Sequence, residues 1–197
     1  MKQKLVGILD YGVGNVASLK GALERAGYRA IIGGSESQLT DIDILFLPGV
    51  GSFDFALENL RSSGLDRYIS DRFRCEDLPI VGICLGMQIM FESSEEGNSL
   101  GLGLIEGRVE KFDENECHVG WNYVAAKSMK SIFEKNPVYF NHSYKVVCAD
   151  HYILGETDYQ GGFVSMVRSG RFTGLQFHPE KSQKIGETLL KVLVDEI

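Results

Sequence analysis

The chain has 197 residues, 44% hydrophobic and 24% charged, the balance of one globular domain with its own core. Its formal charge of −7, with no cluster of Lys and Arg, argues against a nucleic-acid partner, because phosphate binding relies on such clusters. No apolar run nears the ~18 residues that cross a bilayer, so no membrane association is expected.

The chain opens basic and then apolar, Met1-Lys-Gln-Lys-Leu-Val-Gly-Ile-Leu9, and meets Asp10 at once. Its apolar part, about five residues, falls short of the ~7–15 of a secretory segment. It reads as a first buried strand, Lys4–Leu9, and the expected location is the cytoplasm. Val16–Ala26 carries helical spacing closed by Gly27, and Arg29–Ile32 and Ile42–Leu47 are short strands. Ser52 is placed to cap a helix through Leu60, and Leu65–Phe73 has helical spacing too. Pro79–Cys84 is another apolar strand and Met87–Phe91 a helix start. Strands alternating with helices imply right-handed crossovers and a parallel sheet covered on both faces.

The second half changes character. Val109–Phe112, Trp121–Ala125, Val138–Phe140, Tyr144–Val147, Tyr152–Glu156, Gly162–Val167 and Phe172–Phe177 read as short strands. Arg168-Ser-Gly-Arg171 has the composition of a hairpin turn, and Gln183–Val194 is an amphipathic closing helix. The expected fold is a three-layer α/β domain over residues 1–197, with a mainly parallel central sheet and extra antiparallel strands from the C-terminal half.

Cys75, Cys84, Cys117 and Cys148 are scattered, without C-x-x-C pairs, which supports neither a metal site nor a disulfide framework. Cys84 stands apart. Gly82-Ile-Cys-Leu-Gly86 lies between a strand and a helical segment, the pattern of a nucleophile elbow with Cys as the nucleophile. Such a sharp turn crowds its neighbours, and residues without Cβ relieve the crowding. A thiol there gains thiolate character from the helix N-terminus, and the N–H of Leu85 points toward a developing oxyanion. An inert buried cysteine at a strand end is the competing reading, and the two glycines weigh against it.

A thiol nucleophile needs a base and an orienter. Gln176-Phe-His178-Pro-Glu180 supplies both at the end of the last strand, with i and i+2 side chains on one side. A plain surface turn is the alternative. Pro48-Gly-Val-Gly51 follows a strand at the same sheet edge and can offer N–H groups to an oxyanion. Gly12-x-Gly14-Asn15 lacks a third glycine in register and an acidic ribose ligand, so no dinucleotide cofactor is expected.

Gly82-Ile-Cys-Leu-Gly-Met-Gln88, Pro48-Gly-Val-Gly51 and Phe177-His-Pro-Glu-Lys-Ser182 together resemble class I glutamine amidotransferases, along essentially the whole chain. Closer still, Asp10-Tyr-Gly-Val-Gly-Asn15, Ser93-Ser-Glu-Glu-Gly97, Gly101-Leu-Gly-Leu-Ile-Glu-Gly107, Gly120-Trp-Asn122 and His142-Ser-Tyr144 look like the glutaminase subunits of imidazole glycerol phosphate synthases. The resemblance implies a flavodoxin-like fold and a Cys84, His178, Glu180 triad that releases ammonia from glutamine through a γ-glutamyl thioester. It further implies oxyanion N–H groups from Gly51 and Leu85, and a glutamine pocket of Gln88, Glu96, Ser143 and Tyr144. Read alone, Glu95-Glu96 favours a solvated acidic loop.

The resemblance implies no cofactor or metal. The implied partner is a (β/α)₈-barrel cyclase that receives the ammonia, in histidine synthesis. Asn15, Trp121, Asn122, Tyr139 and Lys181 match positions that face this partner or transmit its state. An exposed Trp121 suits an interface anchor, and a buried one would fill the core. Where the family reads P-[HQ]-M-G-W-N, this chain has Cys117-His-Val119-Gly-Trp-Asn122. That leaves open a paralogous glutaminase feeding a similar barrel that places amidine groups on bacterial surface sugars. A cysteine peptidase or γ-glutamyl hydrolase would share the elbow but work without a partner, and a non-catalytic scaffold would not need the triad. Two glycines in Pro48–Gly51 permit a peptide flip, so the oxyanion loop is expected unformed in the free subunit.

Overall fold

A computed structural model of the chain describes residues 3–113 and 117–196. The first half winds as β1 (Leu5–Leu9), α1 (Val16–Arg25), β2 (Arg29–Gly33), β3 (Ile44–Gly49), α2 (Phe53–Ser63), α3 (Leu65–Cys75), β4 (Ile80–Cys84) and the single turn α4 (Leu85–Gln88). Then follow β5 (Ser93–Ser94), β6 (Arg108–Lys111), β7 (His118–Asn122), β8 (Ala125–Ala126), α5 (Lys130–Phe133), β9 (Val138–His142) and β10 (Tyr144–Val147). The chain ends with β11 (Ile153–Thr157), β12 (Phe163–Ser169), β13 (Phe172–Leu175) and α6 (Gln183–Glu196).

The main sheet runs β2-β1-β3-β4-β13-β12-β10-β6-β5, with β11 beside β12 and β8 beside β11. Its first five strands pair in parallel, and the pairs from β13 to β6 are antiparallel. β7 and β9 form a separate antiparallel pair. The expected mix of a parallel half and antiparallel additions is therefore present.

Central strands buried on both faces divide their side chains by the period of two. Val6, Ile8, Ile44 and Phe46 pack with Leu19 and Leu23 of α1 and Leu189 and Leu193 of α6. Leu9, Leu45 and Leu47 pack with Phe53, Leu57, Leu60 and Ile69 of α2 and α3. Each such side chain contributes roughly 1.5–3 kcal/mol by leaving water, and the two clusters make the three layers. No helix among the described residues is long and apolar enough to cross a membrane.

Four local expectations needed correction. Trp121–Ala125 is not one strand: the Asn122 side chain accepts the Tyr123 N–H at 2.8 Å and donates to the Asp158 carbonyl at 3.2 Å, which divides β7 from β8. The helix expected at Met87 starts at Leu85, directly after Cys84, and ends at Gln88. The strand expected from Ile42 begins at Ile44 and runs on through Pro48 and Gly49. Ser52 sits at the head of α2 without a side-chain cap, and Glu96 takes that role by accepting the Phe53 N–H at 3.2 Å. The hairpin turn is as expected, with Ser169 opposite Phe172 and Gly170 at φ 52°.

Candidate active site

β4 delivers Cys84 into a backbone conformation of φ 52° and ψ −110°, which side-chain-bearing residues rarely adopt. The flanking glycines are required by space. A Cβ on Gly82 would lie 2.6 Å from the Gly86 carbonyl oxygen, and one on Gly86 would lie 1.8 Å from the Leu47 carbonyl oxygen. The helix after Cys84 is one turn long, so local N–H groups matter there more than any macrodipole.

β13 lies beside β4 in parallel, with Leu175 opposite Ile83, so both strands end at the same sheet edge. Beyond β13, His178 is extended at φ −104° and ψ 96°, and its N–H donates to the Tyr139 carbonyl at 2.8 Å. Pro179 then opens a 3₁₀ turn over Pro179–Lys181. That turn, in place of the extended chain expected, folds Glu180 back so that Oε1 accepts from His178 Nδ1 at 2.8 Å. Both side chains are buried. Burial pulls the imidazole's pKa down, but the Cys84 sulfur and the Glu180 carboxylate push it up further, to about 9. The ring is thus a cation at neutral pH, paired with the Glu180 carboxylate.

Next to Cys84 a cleft of about 210 Å³ opens, lined by Val50, Gly51, Leu85, Gln88, Glu96, Asn141, His142, Ser143 and Tyr144. The structure therefore gathers Gly51, Leu85, Gln88, Glu96, Ser143 and Tyr144 around the thiol, as the motifs suggest. Glu96 is half-buried, and burial raises its carboxyl pKa above the ordinary range, with the Phe53 N–H opposing and Asp54 adding to the rise. It is not a solvated loop residue. Sequence reasoning missed Asn141, whose carbonyl lies 4.0 Å from the Cys84 sulfur, and His142. It also missed Gln176, whose Nε2 lies 3.6 Å from that sulfur. The signal for Gln176 was present, since it precedes His178 by two residues in extended chain.

A family model described as glutamine amidotransferase class-I matches residues 7–194. The chain belongs to this family. It is 40% identical over 196 residues to a Methanococcus maripaludis protein named imidazole glycerol phosphate synthase subunit HisH 2, covering 95% of this chain and 97% of that one. Proteins named imidazole glycerol phosphate synthase subunit HisH from Synechococcus and Thermotoga maritima are 42% and 41% identical, covering 94% and 96% of this chain and 92% and 96% of theirs. Among solved structures, one titled structure of PurLQS from Thermotoga maritima superposes with a TM-score of 0.78 at 20% identity, covering 100% of this chain and 99% of that one. That likeness speaks for the fold.

In this amidotransferase the five residues expected to face a partner do not form one cluster. Trp121 and Tyr139 meet edge to face at 5.8 Å, and the Lys181 Nζ lies over the Tyr139 ring at 5.9 Å. Of these three, Tyr139 touches the triad, its carbonyl accepting the His178 N–H. Trp121 is 46% exposed, and Val119 and Tyr123 are exposed at the same period of two, an apolar stripe along β7. The core-filling reading of Trp121 is thereby excluded. Asn122 instead turns inward, its Nδ2 lying 3.3 Å from His118 Nε2. His118 Nδ1 in turn lies 3.2 Å from His142 Nε2, at the cleft. Asn15 caps α1 by accepting the Ser18 N–H at 3.1 Å, and its side chain has no hydrogen bond to the other four.

Proposed function

We propose that the chain is the glutaminase subunit of an imidazole glycerol phosphate synthase, and that it passes ammonia to a (β/α)₈-barrel cyclase. The observation that carries the chemistry is the strained Cys84 at the cleft with the buried His178–Glu180 pair at the neighbouring strand end. The pathway rests on relatives of that name at about 40% identity across nearly the whole chain.

In this reading the Cys84 thiolate attacks the side-chain amide carbon of glutamine. The oxyanion is met by the N–H groups of Leu85 and Gly51. His178, protonated, gives its proton to the departing ammonia and leaves a γ-glutamyl thioester. Neutral His178 then takes a proton from water as it attacks, releasing glutamate and restoring the thiolate and imidazolium. Glu96 holds the substrate ammonium, and Gln88, Ser143 and Tyr144 complete the pocket. The cleft, at about 210 Å³, suits one amino acid.

The general-acid form of His178 exists below its pKa of about 9, so kcat/KM should hold through neutral pH and fall on an alkaline limb near that value. Glu180→Gln removes one of the groups that raise it. Its limb should therefore move to lower pH, with activity down roughly 10–100-fold. The same sign governs stability: the charged pair stabilises the fold below the ordinary histidine pKa, and this is lost as pH rises through about 9. For Glu96→Ala, KM for glutamine should rise about 10–100-fold with kcat changed far less, since an ammonium partner is lost. Because the Glu96 pKa is raised, binding in the parent should weaken on mild acidification.

The stripe of Val119, Trp121 and Tyr123 is the docking face in this reading, and Trp121→Ala should weaken partner binding at least tenfold. The test of the nucleophile is labelling with a glutamine-analogue electrophile, resolved by peptide. The adduct should form on Cys84 and be blocked by glutamine. Adducts confined to the exposed Cys75 and Cys117 would overturn the assignment.

A further inference from the structure

We propose that Gln176 is a further catalytic residue, whose side-chain amide is locked in one orientation and donates a hydrogen bond to the Cys84 sulfur, stabilising the thiolate. The inference rests on Cys84 being the nucleophile.

An amide's two ends are told apart only by their partners, and here one backbone carbonyl decides both glutamines. The Tyr144 carbonyl can only accept, so the Gln88 atom 3.2 Å from it is the NH₂ group. That same NH₂ lies 3.0 Å from the Gln176 amide, whose facing atom is therefore the oxygen. The Gln176 NH₂ is left on the other side, where the Cys84 sulfur lies 3.6 Å away. Reversing Gln88 would set acceptor against acceptor at the Tyr144 carbonyl, and reversing Gln176 would set donor against donor at Gln88. The anchor itself is fixed, because the Tyr144 carbonyl also accepts from His142 Nδ1 at 2.8 Å, and burial holds that ring neutral with a pKa of about 3.

Gln176 is fully buried, so its donor has no recourse to water. A hydrogen bond to a charged sulfur is stronger than one to a neutral thiol, so it favours ionisation. Among the described residues, the titratable groups that interact with the Cys84 sulfur include His178, a cation, and Tyr11, kept neutral chiefly by burial. Locking Gln88 has a second consequence. With its NH₂ spent on Tyr144 and Gln176, only Oε1 remains for a ligand in the cleft. An acceptor there suits an N–H group of the ligand.

The test is the pH profile of Cys84 alkylation by iodoacetamide, resolved by peptide, in the full chain and its Gln176→Met and Gln176→Glu variants. Methionine keeps the length and removes the donor without adding charge. Glutamate keeps the shape, so it serves if the methionine variant does not fold. Alkylation at neutral pH should fall roughly tenfold in the first and further in the second, and both profiles should move to higher pH. A purely structural Gln176 would lower the unfolding temperature but leave the profile in place. Profiles that superpose on the parent's would overturn the proposal. Glutaminase activity that survives Cys84→Ala would instead overturn the nucleophile on which it rests.

Discussion

Cys84→Ala should lower glutamine hydrolysis by at least about three orders of magnitude, because the cleft's thiol is lost and the hydroxyls of Ser143 and Tyr144 are far weaker nucleophiles. The fold should persist. Residue 84 is held at positive φ by its neighbours, and alanine bears the same backbone strain as cysteine there. Losing a buried sulfur costs roughly 1 kcal/mol, so chemical denaturation should show a small shift only. In complex with the proposed barrel subunit, the variant should still support synthesis from added ammonium salts. That separates loss of the nucleophile from loss of docking. Hydrolysis within tenfold of the parent would remove Cys84 from the mechanism.

The second large effect is on stability. Gly86→Ala should cost about 3 kcal/mol, at the upper end of what an overpacked methyl does. Its Cβ would fall 1.8 Å from the Leu47 carbonyl oxygen. That oxygen belongs to β3, whose Leu47 is paired with Gly82 of β4, so it cannot yield without opening the centre of the sheet. For a chain of this length the melting temperature should drop roughly 6–12 °C. Gly64→Ala is the control. Gly64 has positive φ, at 73°, which Gly86 does not, and an added Cβ there meets nothing within 4 Å, so only backbone strain of about 1 kcal/mol is expected. A loss at Gly86 no larger than the one at Gly64 would mean that the close approach to β3 is not what makes the elbow glycine necessary.

The parallel half of the fold was legible because its strands are continuous apolar runs and its helices end at glycines, as at Gly27 and Gly64. The elbow was legible for a related reason. Glycines two residues either side of one cysteine have few uses other than close packing, and the Gly82 and Gly86 contacts bear this out. What escaped sequence reasoning depends on partners far along the chain. Glu96 caps a helix that begins 43 residues earlier, and nothing in Ser93-Ser-Glu-Glu96 announces it. Asn122 breaks a strand through its own side chain, although the surrounding residues favour one. Trp121 was undecided because an indole suits a core and an interface equally, and only the alternation against buried His118 sets it outward. Gln176 gains its place only when Gln88 and the Tyr144 carbonyl are brought beside it.

The loop Pro48–Gly51 bears on regulation. Gly51 sits at φ 103° with nothing within 4 Å of an added Cβ, while Gly49 is tightly enclosed by Tyr11, Leu85 and Gly86. One end of the loop is thus clamped and the other open, which suits a peptide that turns when a partner docks. The most direct measurement is ammonia release from glutamine by the chain alone, with the histidine-pathway barrel cyclase, and with that cyclase loaded with its ribulosyl-aminoimidazole nucleotide. The account predicts low release alone, strong stimulation by the loaded cyclase, and none of it in Cys84→Ala. Full activity without a partner would contradict the gated loop. No stimulation by that cyclase, with Cys84 still labelled by a glutamine analogue, would contradict the histidine pathway and point to a barrel that amidinates sugars.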